Sequence, residues 1–231
     1  MSRFWLVLGF VLLMCASPAL AKPVFLAPVD IDPSLLLSPP PADGSPQQVE
    51  ELAQLKHIEA TRTAVELAHA RSDAETQNGT IFRDAVGPSF DLSALPKTAK
   101  LLDDVQSDEK SAAGTAKNFF LRTRPFVTDP SLKSCSRDEP PQSSYPSGHS
   151  TMGYSMGVVL ASLIPDKAQD ILKRAADYAR SRLVCGMHYR SDIEAGEVLG
   201  TAVAVELLHN PAFKPEYDAA EAELKAAHLA R

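Results

Sequence analysis

Alternation of apolar and polar residues, the pattern typical of β-strands, is missing from this sequence. Valine and isoleucine are scattered, and no segment repeats them with a period of two. The stretches between prolines are instead rich in alanine, leucine, glutamate and arginine, which favour helices. We therefore predict an all-α fold, built as a single-domain helical bundle.

Long apolar runs are also rare. The first, residues 4–16, precedes Ala19-Leu20-Ala21, a sequence that fits a small-x-small cleavage site. We expect residues 1–21 to be a signal peptide that is removed on export to the periplasm; lipidation at Cys15 and an uncleaved anchor are the alternatives. The longest later run, residues 152–164, has the length of a core helix and not of a membrane span. We therefore expect no membrane partner after cleavage.

Basic tracts interleaved with aromatic residues are absent. The chain has 23 Lys and Arg against 29 Asp and Glu, a net charge of −6, and aromatic residues make up only 6% of it. Proteins that bind the phosphate backbone of nucleic acids carry clustered positive charge. A nucleic acid partner is therefore not expected.

Cysteine is scarce, with three residues in the whole chain. Cys15 belongs to the predicted signal peptide, which leaves Cys135 and Cys185. Neither lies in a C-x-x-C pair, so a structural zinc site is not indicated. Two cysteines in an exported protein favour one disulfide, and two buried free thiols are the alternative.

Proline divides the predicted mature chain into two parts. Residues 22–48 are too rich in proline for a long helix, so we predict an extended N-terminal segment that runs over the surface. Residues 49–231 form the predicted helical domain. Its helices are expected at 49–78, 81–90, 92–105, 111–122, after His149, and at 166–183, 191–208 and 216–231, with residues 107–109 as a cap before the helix at 111–122.

The stretch from Ser143 to Thr151 combines turn-forming residues with an ionisable group. Ser147 is a candidate N-cap, Gly148 allows the backbone to approach a ligand, and an apolar run follows. Free N–H groups at a helix N-terminus bind anions, and His149 can exchange a proton there. The stretch predicts an anion pocket with an acid/base group; a capped core helix with an incidental histidine is the alternative.

Two further clusters carry charge. Lys117 and Arg124 are seven residues apart, so on one helix they would share a face, where two cations repel unless an anion lies between them. A solvated basic face that also includes Arg122 is the alternative. His188 and Asp192 are four apart, a spacing that lets a carboxylate fix the tautomer of an imidazole. A surface His–Asp pair is the alternative there.

Read in order, the clusters form Lys117-x6-Arg124-Pro125, Pro146-Ser147-Gly148-His149 and Ser181-Arg182-x5-His188-x3-Asp192. This order resembles the three-part signature of the type 2 phosphatidic acid phosphatase superfamily, which vanadium-dependent haloperoxidases share, and every defining position is filled. The closer likeness, over nearly the whole mature chain, is to the class A bacterial nonspecific acid phosphatases. Ser143 and Ser150 stand where these enzymes usually carry glycine and threonine, a difference that removes no catalytic group.

The resemblance implies a helical fold of the acid phosphatase and vanadium-dependent haloperoxidase type. It also implies a phosphate-binding set. Lys117, Arg124 and Arg182 would bind the phosphoryl oxygens, over which charge is spread in the transition state. Ser147 and the backbone N–H of Gly148 would add hydrogen bonds. No metal or other cofactor is implied, because three cations already supply the positive charge.

Three residues carry the chemistry that the resemblance implies. His188 would attack phosphorus and form a phosphohistidine, with Asp192 orienting it and stabilising its positive charge. His149 would protonate the leaving alkoxide and then activate water. This assignment requires a neutral His188 and a protonated His149, and we expect an acidic pH optimum.

The implied function is an exported, metal-independent acid phosphatase acting on phosphomonoesters and releasing inorganic phosphate. Transfer of the phosphoryl group to alcohols and assembly into a homo-oligomer are further implications of the resemblance. Two other functions fit the same residues: a vanadate-dependent haloperoxidase and a non-catalytic periplasmic phosphate-binding module. Bromide oxidation with vanadate and peroxide would mark the first, and binding without turnover the second.

Overall fold

The computed structural model describes residues 22–231, so the predicted signal peptide lies outside the described residues. Every regular element within this range is helical, which confirms the all-α prediction. The α-helices are Pro33–Leu36 (α1), Pro46–Thr61 (α2), Ala64–Glu75 (α3), Arg83–Val86 (α4), Pro96–Phe120 (α5), Pro125–Thr128 (α6), Gly148–Leu163 (α7), Ala168–Val184 (α8), Arg190–His209 (α9) and Lys214–Ala226 (α10). Among these helices, none combines the length and the apolar character that a membrane crossing requires.

Helix α7 forms the centre of the bundle, in keeping with its apolar sequence. Eleven of its sixteen residues are buried, and α5, α8 and α9 pack against it. A Cβ atom on Gly200 of α9 would lie 2.4 Å from the carbonyl oxygen of Thr151, and one on Gly153 would lie 3.1 Å from the Tyr178 ring. Small residues therefore set how closely α8 and α9 approach α7, and so fix the positions of the side chains at their ends.

The helix predicted over residues 49–78 is wrong as one element, because the chain breaks between α2 and α3. Thr63 forms a capping box: its side chain accepts from the N–H of Glu66, whose carboxylate accepts from the N–H of Thr63. Arg62, at the break, donates to the carbonyl oxygens of Val184 and Lys133. The break therefore ties α2 and α3 to the end of α8.

The helix boundary predicted at residues 107–109 is also wrong, since α5 runs without interruption from Pro96 to Phe120. Asp108 does not cap a helix. Its buried carboxylate accepts the backbone N–H groups of Val24, Phe25 and Leu26. This contact fastens the start of the N-terminal segment to the middle of α5. Of the region predicted helical at 81–90, only Arg83–Val86 is α-helical.

The N-terminal segment lies against the bundle as well as over its surface. Leu26, Ile31 and Leu37 belong to the main hydrophobic core, whereas Leu35 is 85% exposed. Helix α2 begins at Pro46, three residues before the predicted domain boundary. The proline-rich segment is thus anchored by a few separated apolar side chains and by Asp108.

Cys135 and Cys185 form a disulfide, which confirms the favoured expectation. Their Cα atoms are 4.9 Å apart, and the N–H of Cys135 donates to the carbonyl oxygen of Cys185 at 2.9 Å. The bond joins the loop that precedes α7 to the turn that follows α8. Both connected segments lead into residues of the predicted site.

Candidate active site

A cavity of about 580 Å³ lies between α5, the N-terminal part of α7 and the loop at residues 139–143. Six of the predicted site residues line it: Lys117, Arg124, Gly148, His149, Arg182 and His188. The other two, Ser147 and Asp192, are fully buried behind its wall. The fold therefore brings all eight residues together from five separate parts of the chain.

Lys117 and Arg124 both reach the cavity, but the prediction that they share one helix face is wrong. They do not share a helix face, because α5 ends at Phe120 and Leu121 adopts a left-handed conformation with φ of 49°. Arg124 is instead the residue that precedes α6. Both cations nevertheless line the cavity, from neighbouring elements of the chain.

Ser147 caps α7, as predicted from its sequence. Its hydroxyl accepts from the N–H of Ser150, and its own N–H donates to the carbonyl oxygen of Asp192 at 2.9 Å. Gly148 begins the helix on the cavity wall, and a Cβ atom there would lie 3.9 Å from Cε of Lys117. The N-terminus of α7 therefore opens beside the cation of Lys117, where an anion is favoured.

The contacts of His188 fix which ring nitrogen carries the proton. Its Nδ1 lies 2.8 Å from the carbonyl oxygen of Ser144, which can only accept, so Nδ1 carries the hydrogen. Its Nε2 lies 3.2 Å from Nη1 of Arg124, which can only donate, so Nε2 presents its lone pair. Burial, followed by the charges of Arg124 and Lys117, lowers the pKa of His188 well below its usual value. A neutral imidazole with Nε2 directed at the cations results.

Asp192 lies behind His188, with Oδ2 3.4 Å from Nδ1 of that ring. The same oxygen accepts from the hydroxyl of Ser144 at 2.6 Å and from the N–H of Tyr189 at 2.8 Å. Oδ1 accepts from Arg122 at 2.5 Å. Burial raises the pKa of Asp192, an effect that Arg122 and these hydrogen bonds oppose.

Arg122 is a residue that the sequence argument missed. From the sequence it enters only as part of the alternative, a solvated basic face, yet just 2% of its side chain is exposed. It pairs with Glu51 of α2 as well as with Asp192, and it stacks on the Tyr189 ring at 4.2 Å. Its partners come from distant parts of the chain, and neither its spacing nor its neighbours in sequence signals them.

His149 is held on one side of the cavity. Its Nε2 donates to the carbonyl oxygen of Ala74 at 3.2 Å, and its ring lies against Tyr178. Burial, followed by the charge of Arg182, lowers the pKa of His149 to about 3. In the chain alone His149 is therefore neutral at pH 5, and the protonated state expected from the sequence requires negative charge among the cations.

The cations themselves are only partly compensated. Nε and Nη1 of Arg182 are buried without a hydrogen-bond partner in the described residues, and burial lowers the pKa of Arg182 to about 10. Burial and the neighbouring Arg124 lower the pKa of Lys117 to about 7. Arg124 has one carboxylate within reach, Glu139 at 3.3 Å. A buried guanidinium with unused donors is costly unless an anion binds it, so the donors at this end of the cavity suit an anion.

One group of metal-ligand side chains occurs within residues 22–231, formed by His69, Asp73 and Asp177. It lies on α3 and α8, away from the cavity. Arg174 already pairs with Asp73 and lies 3.5 Å from Asp177. The carboxylates are therefore neutralised within the chain.

Known proteins that resemble this chain identify its family. Residues 110–215 match the model of the PAP2 superfamily. An acid phosphatase of Zymomonas mobilis is 35% identical over 203 residues, which cover 85% of this chain and 76% of that protein. A non-specific acid phosphatase of Providencia stuartii is 30% identical, over 84% of this chain and 81% of that protein. This chain belongs to the PAP2 superfamily, among its class A acid phosphatases.

The PAP2 match contains every predicted site residue, from Lys117 to Asp192. It also contains Arg122 and both ends of the disulfide. A non-specific acid phosphatase of Salmonella typhimurium, 30% identical over 80% of this chain and 76% of its own length, extends the likeness beyond that range.

Proposed function

We propose that this chain is an exported, metal-independent acid phosphatase that hydrolyses phosphomonoesters through a phosphohistidine on His188. The observation that carries the proposal is the pairing of two features at one end of the cavity. Arg182 has buried donors without a partner in the described residues, and Nε2 of His188 presents its lone pair toward Arg124 at the same end of the cavity. An anion bound to those donors is thereby offered to a nucleophile.

The first step transfers the phosphoryl group to the enzyme. Nε2 of His188 forms a bond to phosphorus while the bond to the ester oxygen breaks. Lys117, Arg124 and Arg182 stabilise the charge on the three phosphoryl oxygens. The imidazole becomes positive as the bond forms, and the carbonyl oxygen of Ser144 and the carboxylate of Asp192 compensate that charge from the Nδ1 side.

His149 supplies and recovers one proton. Its Nε2–H is engaged by Ala74, so Nδ1 is the atom that gives a proton to the leaving alkoxide. In the second step Nδ1 takes a proton from water, the oxygen attacks phosphorus, and the bond to His188 breaks to release inorganic phosphate. The dianionic phosphoryl group raises the low pKa of His149, so the substrate itself brings the acid into its active form.

Export rests on the leader pattern at residues 1–21, which directs the chain to the periplasm. The mature protein then consists of the anchored segment 22–48 and the helical domain 49–231. Transfer of the phosphoryl group to alcohols follows from the same intermediate, since an alcohol can replace water in the second step. Assembly into a homo-oligomer belongs to the same proposal.

Hydrolysis of p-nitrophenyl phosphate at pH 5 to 6 in excess EDTA tests the mechanism. We expect the wild type to turn over and His188→Ala to lose at least about a thousandfold in kcat, the scale seen when a nucleophile is removed. His57→Ala changes an exposed histidine and is the matched control. Turnover that needs added metal, or that survives in His188→Ala, contradicts the proposal.

Trapping the intermediate gives a second readout. His149→Gln should slow release of the phosphoryl group more than its formation from an activated ester with a good leaving group. The phosphoenzyme should then accumulate. If the phosphoryl group of the ester is labelled, the label bound to the protein should be stable to base and labile to acid. Bromide oxidation with vanadate and peroxide, in the absence of phosphatase turnover, would instead support the haloperoxidase alternative.

A further inference from the structure

Glu109 is a buried carboxyl group in the catalytic cavity that the proposed chemistry does not use. It lines the cavity and is only 2% exposed. Its Oε2 is buried without a hydrogen-bond partner in the described part of the chain. A buried polar atom without a partner costs free energy, so a group of this kind calls for an explanation.

Glu109 precedes the phosphate-binding candidate Lys117 by about two turns of α5. Glu109 and Lys117 are eight residues apart on the same helix, which is about 12 Å along the axis at 1.5 Å per residue. The spacing of eight residues also brings both side chains to one face. The cavity therefore continues from the cations, along α5, to a carboxyl group at its other end.

The wall between these two ends is apolar. Ala113 and Gly114 of α5 lie on one side, and Met152 of α7 lies on the other. Small side chains leave space for a flat group, and a methionine sulfur makes favourable contacts with aromatic rings. The cavity thus has a cationic end, an apolar middle and a far end where the buried carboxyl group of Glu109 lies beside Gln77 and Lys110.

From this arrangement, and resting on the proposed function, we propose that Glu109 is a specificity-determining residue. It accepts a hydrogen bond from the far edge of a ring-bearing leaving group. The favoured substrates are monoesters of alcohols that carry a flat ring with an N–H or O–H donor at the end remote from phosphorus.

The protonation of Glu109 agrees with this role. Burial raises its pKa to about 8, an effect that Lys110 and Lys117 oppose. At acidic pH it is a neutral carboxylic acid, whose carbonyl oxygen still accepts a hydrogen bond. It therefore does not repel the substrate phosphate while it holds the ring.

Two substrates that differ by one donor test the proposal. Adenosine 5′-monophosphate carries an amino group on its ring, and purine riboside 5′-monophosphate lacks it. We expect the wild type to favour the first by about tenfold in kcat/KM, the scale of one buried hydrogen bond. Glu109→Leu should bring this ratio close to one, whereas Glu109→Gln, which keeps an acceptor, should retain it. Asp103→Asn removes an exposed carboxylate from the same helix and is the control.

Three outcomes overturn the proposal. A ratio close to one in the wild type, or a ratio that Glu109→Leu leaves unchanged, shows that Glu109 does not contact the ring. An equal loss for both nucleotides and for glycerol phosphate, which is too short to reach Glu109, shows that it acts through Lys117 instead. The affinities of both nucleotides for His188→Ala can be measured by calorimetry. Their ratio tests the contact with the ring without turnover. Failure of the proposed chemistry is therefore separate from failure of this inference.

Discussion

Arg122 and Asp192 form a buried ion pair directly behind the candidate nucleophile. Nη1 of Arg122 lies 2.5 Å from Oδ1 of Asp192, and both side chains are almost wholly removed from solvent. The other oxygen of Asp192 lies 3.4 Å from His188. The pair therefore links the imidazole to Glu51 of α2, the second carboxylate that Arg122 binds.

Two buried arginines of this site should affect stability in opposite directions. Arg122→Met leaves Asp192 and Glu51 buried without their cation, and we expect the free energy of unfolding to fall by about 3–5 kcal/mol. Arg182→Met removes a guanidinium with unused donors, and we expect the unliganded chain to gain about 1–3 kcal/mol. Urea unfolding with the disulfide intact measures both values.

In Arg182→Met, activity should change in the opposite direction to stability. Arg182→Met should lose at least about a hundredfold in kcat/KM although it is more stable, since a phosphate-binding cation is missing. Arg180→Ala changes an exposed arginine of the same helix and serves as the control. Destabilisation by Arg182→Met would contradict the view that its donors are unsatisfied in the unliganded chain.

Acid should destabilise the unliganded chain through its buried histidines. The pKa of His149 is about 3 and that of His188 also lies far below its ordinary value. Between the unfolded value of about 6.5 and these folded values the unfolded state binds more protons, so stability falls as the pH falls. Glu109, whose pKa is about 8 in the folded chain, acts in the opposite direction, because there the folded state binds more protons. We therefore expect His149→Asn to lose less free energy of unfolding than the wild type between pH 6.5 and pH 4. An unchanged slope in His149→Asn, with exposed His57→Asn as control, would contradict the prediction.

An anion in the site should reverse the shift on His149. Sulfate remains dianionic at pH 5, so any proton taken up on binding goes to the protein. We expect uptake approaching one proton, because the dianion offsets the charge of Arg182 that lowers the pKa of His149. Calorimetry in buffers of different ionisation enthalpy measures this number. His149→Gln should bind sulfate with clearly less uptake, and equal uptake in both proteins would assign the proton to another group.

The disulfide between Cys135 and Cys185 should stabilise the chain by limiting its unfolded state. The bonded residues are 50 apart in sequence, and closing a loop of that size is worth about 4 kcal/mol at most in the chain-entropy model. We expect replacement of both cysteines by serine to cost about 2–4 kcal/mol in urea unfolding. Reductant should lower the stability of the wild type and leave the double variant unchanged, and any other pattern would contradict a structural disulfide.

Gly200 should tolerate no side chain. A Cβ atom there would lie 2.4 Å from the carbonyl oxygen of Thr151 and 3.0 Å from the N–H nitrogen of Ser155, both backbone atoms of α7. We expect Gly200→Ala to cost about 1–3 kcal/mol by forcing α9 away from α7. Val198→Ala, at a half-exposed position on the same helix, is the control. Wild-type stability in Gly200→Ala would show that the two helices separate easily.

Local patterns were sufficient for much of the molecule. Helix-forming composition predicted the all-α fold, and Ser147 followed by an apolar run predicted the capped helix; which residues converge was implied by the family resemblance that the three motifs carry. Each of these depends on residues that are close in sequence. The errors arose where a side chain acts at long range, as with Asp108, whose carboxylate binds the N-terminal segment and does not cap a helix.

The sequence by itself determined the helical class, the chemical groups of the site and the cysteines available for a bond. Only the tertiary structure decided that Lys117 and Arg124 line one cavity from separate elements, that Arg122 is buried between two carboxylates, and that Glu109 is buried at the far end of the cavity. The reason is physical. Burial, desolvation and hydrogen-bond partners are set by what packs against a side chain, and those neighbours come from distant parts of the chain.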